Sequence, residues 1–94
     1  MPYFTYIIRC ADGSLYTGST SDLVARERAH KQGRGAKYTA GRGPVRVVYS
    51  EAYESRSAAQ KRESQLKHWT RKKKEALIAA DTSRLHEHAR RRRH

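Results

Sequence analysis

The chain has 94 residues, of which only 36% are apolar and 32% are charged, so it can form one thin hydrophobic core and no second domain. Its formal net charge is +12, and +9 of this falls on the first 80 residues, so the basic character is not confined to the Arg-rich C-terminal segment. Such a positive potential predicts nucleic acid as the partner, because binding releases counterions condensed on the phosphates.

The cysteine content and the hydropathy pattern argue against a secreted or membrane protein. One cysteine, Cys10, rules out an intramolecular disulfide and a thiolate metal cluster made by one chain. The sequence lacks an apolar stretch as long as a membrane span and an N-terminal secretion signal. Its basic segments lack the bulky apolar anchors of a membrane-surface helix. We therefore expect a cytoplasmic protein without a membrane partner.

The first part of the chain predicts a β-hairpin and a helix. Two segments rich in aromatic and β-branched residues flank the turn signal Asp12-Gly13, which is typical of a hairpin. The next segment is rich in Ala, Leu, Arg and Glu and follows the capping residues Ser21 and Asp22. The predicted elements are strands over Tyr3–Cys10 and Leu15–Ser19 and a helix over Leu23–Lys31.

The second part predicts a loop, a strand and two helices. Four glycines favour a loop over Gln32–Pro44. Ser57 and Gln60 have the spacing of a capping box, and Thr70 can cap a further helix. The predicted elements are a strand over Val45–Tyr53, a helix from Ser57 to about His68 and a helix over residues 71–80.

Together these elements predict an α+β fold. We expect a small three-stranded antiparallel sheet flanked by helices, in the order β-β-α-β-α-α. Residues 1–80 form this domain. Residues 81–94 are polar and Arg-rich, which indicates a basic, disordered tail.

The first predicted helix can bring two polar side chains toward the sheet. At 100° per residue, Arg26 and His30 lie beside Leu23, the bulkiest apolar residue that can dock this helix. The alternative is that Val24 and Ala29 form the inner face, in which case Arg26 and His30 are solvated.

The helix predicted to start at Ser57 carries a carboxylate near its apolar side. Glu63 lies roughly 40° to 60° from Ala59 and Leu66 around the helix axis. A carboxylate in this position needs a partner, and composition alone favours an ordinary ion pair with Lys or Arg. The helix pattern by itself does not distinguish a structural Glu63 from a functional one.

Several short motifs stand at defined positions along the chain. Thr5-Tyr6-Ile7 lies in the first strand and Tyr16-Thr17-Gly18 in the second, Arg26 and His30 follow on the first helix, and Glu63 lies on the next one. This pattern resembles the GIY-YIG nuclease superfamily over residues 2–80. The segment His68–Ile78 is similar to the end of the small stand-alone bacterial members, relatives of the excision-repair nuclease domain.

The resemblance implies a divalent-metal-dependent endonuclease that hydrolyses phosphodiester bonds in DNA, with a link to DNA repair. It implies Glu63 as the one protein ligand of Mg²⁺ or Mn²⁺, an arrangement that suits Mg²⁺ because this ion keeps several waters. Arg26 would hold the scissile phosphate. Tyr16 would activate the attacking water, with Tyr6 hydrogen-bonding the nucleophile or phosphate and His30 accepting the proton.

The sequence departs from the family pattern at three positions. Thr5 precedes the Tyr of the first motif and Thr17 replaces the middle Ile of the second, and strands tolerate both changes. Ser19 stands where the excision-repair relatives carry a Lys that resembles a phosphate- or water-orienting group. Either Lys37 substitutes for that Lys or the activity is weak.

Seven basic residues between positions 61 and 74 form a dense basic stretch: Lys61, Arg62, Lys67, Arg71, Lys72, Lys73 and Lys74. This stretch predicts a phosphate-contact surface, although a run of charges can also be a solvated face. Gly18 permits close approach of backbone or substrate. Trp69 and three other tyrosines, Tyr3, Tyr49 and Tyr53, are expected to be packing residues. The residues expected to contact nucleic acid are Gly18, Ser19, Lys37, Lys67, Arg71, Lys72, Lys73 and Lys74.

Two other functions stay open. A non-catalytic nucleic-acid-binding module that retains the GIY-YIG fold is favoured by Ser19. A basic RNA-associated structural protein explains the charge but not the pairing of Tyr6 with Tyr16. The substitution Glu63→Ala distinguishes the endonuclease from the binding module. In an endonuclease it abolishes cleavage, whereas in a binding module it leaves the affinity for nucleic acid unchanged or increases it.

Overall fold

The computed structural model describes residues 2–32 and 45–91, with side chains described as far as Asp81. The α+β class and the predicted order of elements are confirmed. The predicted loop after Gln32, including Lys37, lies outside the described residues. The elements are β1 (Tyr3–Cys10), β2 (Leu15–Thr20), α1 (Leu23–Lys31), β3 (Val45–Tyr53), α2 (Arg56–Lys67) and α3 (Arg71–Arg91).

The three strands form one antiparallel sheet in the order β2-β1-β3. The β1–β2 hairpin turns at Gly13, whose φ of 87° is readily adopted by glycine. Asp12 Oδ1 accepts a hydrogen bond from the backbone N–H of Ser14 at 2.9 Å. The register of this hairpin sets Tyr6 directly opposite Gly18, so these two residues share one face of the sheet.

Side chains alternate across the sheet, so each face has its own core. Helix α1 covers one face of the sheet, which we call the α1 face. Helices α2 and α3 cover the opposite face, which we call the α2–α3 face. The buried core of the α1 face consists of Tyr6, Ile8, Cys10 and Val45. The buried core of the α2–α3 face consists of Ile7, Tyr49, Leu66 and Ile78.

The orientation of α1 decides between the two alternatives left open by the sequence. Asp22 caps the helix by accepting a hydrogen bond from a first-turn N–H at 3.0 Å. Leu23 packs against the α1-face core, whereas the side chain of Val24 is 69% exposed. His30 is therefore turned toward the sheet and is 1% exposed, and Arg26 is half-buried. The alternative with Val24 on the inner face is wrong.

The N-cap of helix α2 lies two residues before the predicted one. Ser55, not Ser57, is the N-cap, and its hydroxyl accepts a hydrogen bond from the N–H of Ala58 at 3.1 Å. Where two serines can cap a helix, the earlier one is favoured because each residue added to a formed helix adds a backbone hydrogen bond. Ala59 and Leu66 are fully buried, so the predicted inner side of this helix is correct.

Helix α3 is capped by Thr70, whose hydroxyl accepts a first-turn N–H at 3.2 Å. The helix continues to Arg91, through most of the segment where the sequence predicts a disordered tail. Residues 81–91 contain neither Gly nor Pro, so no local signal ends the helix there. The division into a domain and a tail at residue 80 stays a prediction. None of the described helices is long and apolar enough to cross a membrane.

Candidate active site

Three ring side chains meet on the α1 face. Tyr6 comes from β1, Tyr16 from β2 and His30 from the last turn of α1. The ring centroids of Tyr6 and Tyr16 lie 6.4 Å apart, those of Tyr6 and His30 6.1 Å, and those of Tyr16 and His30 5.2 Å. The Tyr6 hydroxyl lies 3.2 Å from Nε2 of His30, within hydrogen-bond distance. Three of the residues predicted to be catalytic therefore form one cluster.

Gly18 provides the space that the Tyr6 phenol occupies. A Cβ atom at Gly18 would lie 2.5 Å from the Tyr6 hydroxyl oxygen, 2.7 Å from Tyr6 Cζ and 3.2 Å from Tyr16 Cε1. The first two distances are shorter than van der Waals contact, so a side chain here would displace the phenol. The close approach predicted at Gly18 is thus made by Tyr6 within the protein.

The electrostatics of Tyr6 connect it to two further candidate residues. Burial raises the pKa of the Tyr6 phenol, and the Tyr16 phenol raises it further. The Arg26 guanidinium on α1 opposes this shift, and the Glu63 carboxylate on α2 adds to it. Tyr6 therefore stays protonated at neutral pH and is a hydrogen-bond donor. Charges from both helices act on this one phenol.

His30 is set up as a hydrogen-bond acceptor. Burial lowers the pKa of its imidazole, and the positive charge of Arg26 lowers it further. The ring is therefore neutral at pH 7, and its Nε2 can accept the proton of the Tyr6 hydroxyl. A neutral imidazole in contact with a phenol is a suitable proton acceptor for catalysis.

Glu63 is held on α2, which packs against β1 and β2. The Thr5 hydroxyl of β1 donates a 2.7 Å hydrogen bond to the carbonyl of Ala59, one turn before Glu63. The Glu63 side chain is 20% exposed, and its Oε2 lies 2.7 Å from the Nζ of Lys67. The ordinary ion pair considered from composition is therefore present, with an exposed lysine as the partner.

The Glu63 carboxylate suits a hard divalent cation. Carboxylate oxygen is the ligand type that Mg²⁺ and Mn²⁺ prefer, and Mg²⁺ completes its shell with waters and phosphate oxygens. The Lys67 ammonium lies 2.7 Å from one of the two carboxylate oxygens, Oε2, so a metal ion on this oxygen would take the place of Lys67. In the described part of the chain no three His, Cys, Asp or Glu side chains gather. By its ligand chemistry the Glu63 carboxylate fits a Mg²⁺ ion whose other ligands are waters and phosphate oxygens.

The basic residues near the start of α3 are partly tied into the fold. Arg71 Nη2 donates to the carbonyl of Gly13 at 2.7 Å and lies 3.6 Å from Glu75 Oε2. Glu75 also pairs with Arg9 of β1 through two hydrogen bonds of 2.9 and 2.5 Å. The Arg9–Glu75 pair was not predicted, because no local pattern links residues 66 positions apart. Lys72 is exposed, and the Lys73 ammonium lies 4.1 Å from the Trp69 ring centroid.

Arg62, which the sequence places in the basic stretch, takes part in a structural network. Its Nε and Nη2 donate to Glu51 at 2.9 and 3.2 Å, and its guanidinium lies 5.0 Å from the Trp69 ring centroid. Glu51 also accepts hydrogen bonds from the hydroxyls of Tyr49 and Tyr53. Burial opposes ionisation of Glu51, but these donors hold its pKa below the usual range. Tyr49, Tyr53 and Trp69 are thus in the packing roles expected of them.

Ser19 lies on the side of the sheet that faces α2. It is opposite Thr5 in the β1–β2 register, and Thr5 is the residue that bonds to α2. Ser19 is half-buried. Its neutral hydroxyl brings no positive charge to the position where the excision-repair relatives carry a lysine.

Fold and site together define a small α+β domain in which two strand tyrosines and a histidine form a ring cluster. The charges of Arg26 on α1 and Glu63 on α2 act on one of these tyrosines, Tyr6. The chain belongs to the GIY-YIG catalytic domain family, whose model matches residues 2–76. The family resemblance seen in the sequence is confirmed.

Relatives of similar length support the same assignment. A UPF0213 protein of Staphylococcus aureus is 54% identical over 76 residues, which are 81% of this chain and 93% of that protein. The solution NMR structure of a UPF0213 protein from Bacillus halodurans is 46% identical, covers 85% of each chain and has a TM-score of 0.55. A second NMR structure, of a protein from E. faecalis, is 39% identical over 87% of this chain and 88% of that chain, with a TM-score of 0.59.

Proposed function

We propose that the protein is a divalent-metal-dependent endonuclease that hydrolyses phosphodiester bonds in DNA. The observation that carries this proposal is the cluster of Tyr6, Tyr16 and His30, formed around Gly18 in a chain of the GIY-YIG family. The net charge of +12 supports a polyanionic substrate. A cytoplasmic role in DNA repair is part of the proposal and rests on the sequence alone.

Each residue of the site has a part in the proposed reaction. The Arg26 guanidinium binds the scissile phosphate and stabilises its developing negative charge. Tyr16 orients the attacking water, as the motif resemblance suggests. A divalent ion on Glu63 supplies positive charge near the phosphate when it is bound.

The hydrogen bond between Tyr6 and His30 supports a path for the proton. As the water oxygen bonds to phosphorus, its proton passes to the Tyr6 oxygen while Tyr6 gives its own proton to Nε2 of His30. Tyr6 then needs no phenolate form, which its raised pKa makes unfavourable at neutral pH. The P–O bond to the leaving strand breaks, and the leaving oxygen takes a proton from solvent water. His30 ends protonated and returns its proton to solvent, which restores the site.

A nuclease assay with purified protein tests this proposal. We expect cleavage of duplex, branched or single-stranded DNA with Mg²⁺ or Mn²⁺, and losses of about 100-fold or more for Glu63→Gln and Tyr16→Phe with binding retained. Glu54→Gln and Tyr3→Phe are matched controls, because they make the same chemical changes outside the site. If the protein binds all three kinds of DNA and cleaves none of them, the proposed endonuclease activity is refuted.

The alternative function is a non-catalytic nucleic-acid-binding module with the same fold. The observation that favours it is Ser19, which leaves one charged position of the excision-repair relatives neutral. In a module of this kind, Glu63→Gln leaves binding intact or tightens it, because the substitution removes a negative charge facing the polymer. Wild-type protein would then bind DNA without metal-dependent cleavage.

A further inference from the structure

A cavity of about 160 Å³ lies between the β1–β2 turn and the first turns of α3. It is lined by Ser14, Leu15, Arg71 and Lys74, so both of its charged lining residues are positive. The Arg71 guanidinium is already held in place by the carbonyl of Gly13 at 2.7 Å. Little side-chain freedom therefore has to be lost when Arg71 binds an anion here.

Lys74 is the residue of this cavity whose charge is not balanced. It is half-buried, and no carboxylate of the described residues pairs with it. Its neighbours differ, since Lys67 pairs with Glu63 and Arg71 lies near Glu75. Burial lowers the pKa of the Lys74 ammonium, and the positive charge of Lys67 lowers it further. A partly buried cation next to a second cation is costly unless an anion joins them.

We propose that this cavity is a subsite for one backbone phosphate of the nucleic-acid substrate, bound by Lys74 and Arg71. A phosphate oxygen supplies the negative charge that Lys74 lacks and accepts a charge-assisted hydrogen bond from the Arg71 guanidinium. The inference rests on the proposed function for the identity of the polymer. It separates these two residues, which line the cavity, from Lys72, which does not, although the sequence groups all three in the basic stretch.

The position of Lys67 links this subsite to the candidate active site. Lys67 bonds to Glu63 on one side, and its charge acts on Lys74 on the other. A strand whose phosphate sits in the cavity therefore continues along a positive surface toward Glu63. Lys74 and Arg71 position the strand and take no part in bond breaking, so the direct effect of their loss is weaker binding.

DNA binding by the full chain tests the subsite without requiring cleavage. We would measure fluorescence anisotropy of a labelled duplex over a range of salt concentrations, with EDTA present. Lys74→Met is expected to weaken binding about 5-fold or more and to reduce the slope of log affinity against log salt by about 0.9, the value for one phosphate contact. Lys72→Met is the matched control and should change both quantities less. Equal effects of the two variants would overturn the subsite.

Thermal unfolding of the same variants guards against a structural explanation. Lys74→Met should raise the Tm of the free protein, because it removes a partly buried charge, whereas Lys72→Met should leave the Tm unchanged. A variant that is more stable but binds DNA less tightly has lost a binding group and not its fold. A lower Tm for Lys74→Met together with weaker binding would overturn the proposal. If the wild-type protein binds DNA but does not cut it, the proposed endonuclease activity is refuted. The binding and Tm measurements then still show whether the phosphate subsite exists.

Discussion

Two regions of the molecule combine tyrosines, an arginine and a glutamate, but they do so in different ways. In the first, which we call the Glu51 network, one carboxylate accepts hydrogen bonds from Tyr49, Tyr53 and Arg62. All four side chains belong to the α2–α3 side of the sheet, and the Glu51 side chain is 19% exposed. The carboxylate is surrounded by donors from the fold itself, so the network holds β3 to α2.

In the candidate active site, the phenols and the carboxylate have separate partners. Tyr6 bonds to His30, and Glu63 pairs with Lys67, whose side chain is 50% exposed. An ion pair with one exposed partner contributes little to stability, so this carboxylate can exchange Lys67 for another cation at small cost. The comparison teaches that two glutamates of nearly equal exposure differ in the number and burial of their donors: Glu51 is held by three side chains of the fold, and Glu63 by one exposed lysine.

The largest effect on stability should come from breaking the Glu51 network. Glu51→Gln removes the negative charge that Arg62 and two phenols share and is expected to lower the free energy of unfolding by about 3 kcal/mol. For a domain of this size the Tm should fall by more than about 10 °C. Thermal and urea unfolding measure this change.

The matched variant for Glu51→Gln is Glu63→Gln, which makes the same chemical change in the candidate site. It should change the free energy of unfolding by less than about 1 kcal/mol, because its partner is exposed. Its effect should appear in DNA cleavage instead, whereas folded Glu51→Gln should cleave at the wild-type rate when assayed well below its Tm. Similar stabilities for the two variants would contradict the distinction between the two regions.

The next effect concerns the space around Tyr6. Gly18→Ala places a methyl group where the Tyr6 phenol lies, so we expect a loss of about 1 to 3 kcal/mol in stability. Displacing the phenol by about 1 Å should lower the cleavage rate roughly 100-fold. Gly13→Ala is the control, because the positive φ of Gly13 makes this substitution cost about 1 kcal/mol without touching the rings. Wild-type cleavage by Gly18→Ala would show that the position of Tyr6 is not critical.

Much of the fold could be predicted because its signals are local. Alternation and turn residues gave the observed bounds of β1 and β3, and the helical pattern correctly turned Leu23 inward. The start of α2 was missed because Ser55 and Ser57 are both capping residues, and the helix begins at the earlier one, which adds backbone hydrogen bonds. The division at residue 80 stays a prediction: the polar composition of residues 81–94 indicates a tail, whereas α3 continues to Arg91 because residues 81–91 contain no helix breaker.

The candidate site was only partly predictable for a different reason. Its residues could be named because the family motifs fix their spacing, but their contacts depend on register and packing. The contact between Tyr6 and Gly18 follows from the hairpin register, and the bond from Tyr6 to His30 follows from how α1 docks. The role of Arg62 was missed because its partner Glu51 lies on another element.

A smaller effect should appear in the pH dependence of stability. Burial and Arg26 lower the pKa of His30 below the ordinary 6.5, so the unfolded chain takes up a proton before the folded protein does as pH falls. The stability contributed by neutral His30 is therefore complete above about pH 6.5 and is lost as pH falls through the lowered pKa. Urea unfolding at about pH 7.5 and about pH 5.5 measures this loss. His30→Gln should flatten the dependence, and an unchanged dependence would count against a buried neutral imidazole.

The smallest effect concerns two threonines on the α2–α3 face that look alike in sequence. The Thr5 hydroxyl donates to the carbonyl of Ala59, whereas Thr17 is 3% exposed and its Oγ1 has no hydrogen-bond partner among the described residues. Thr17→Val should therefore raise the free energy of unfolding by about 1 kcal/mol, and Thr5→Val should lower it by about the same amount. Urea unfolding of both variants checks the opposite signs, and equal signs would mean that burial outweighs the hydrogen bond. Because Thr17 points away from the rings of Tyr6 and Tyr16, the stabilised variant should keep the wild-type cleavage rate.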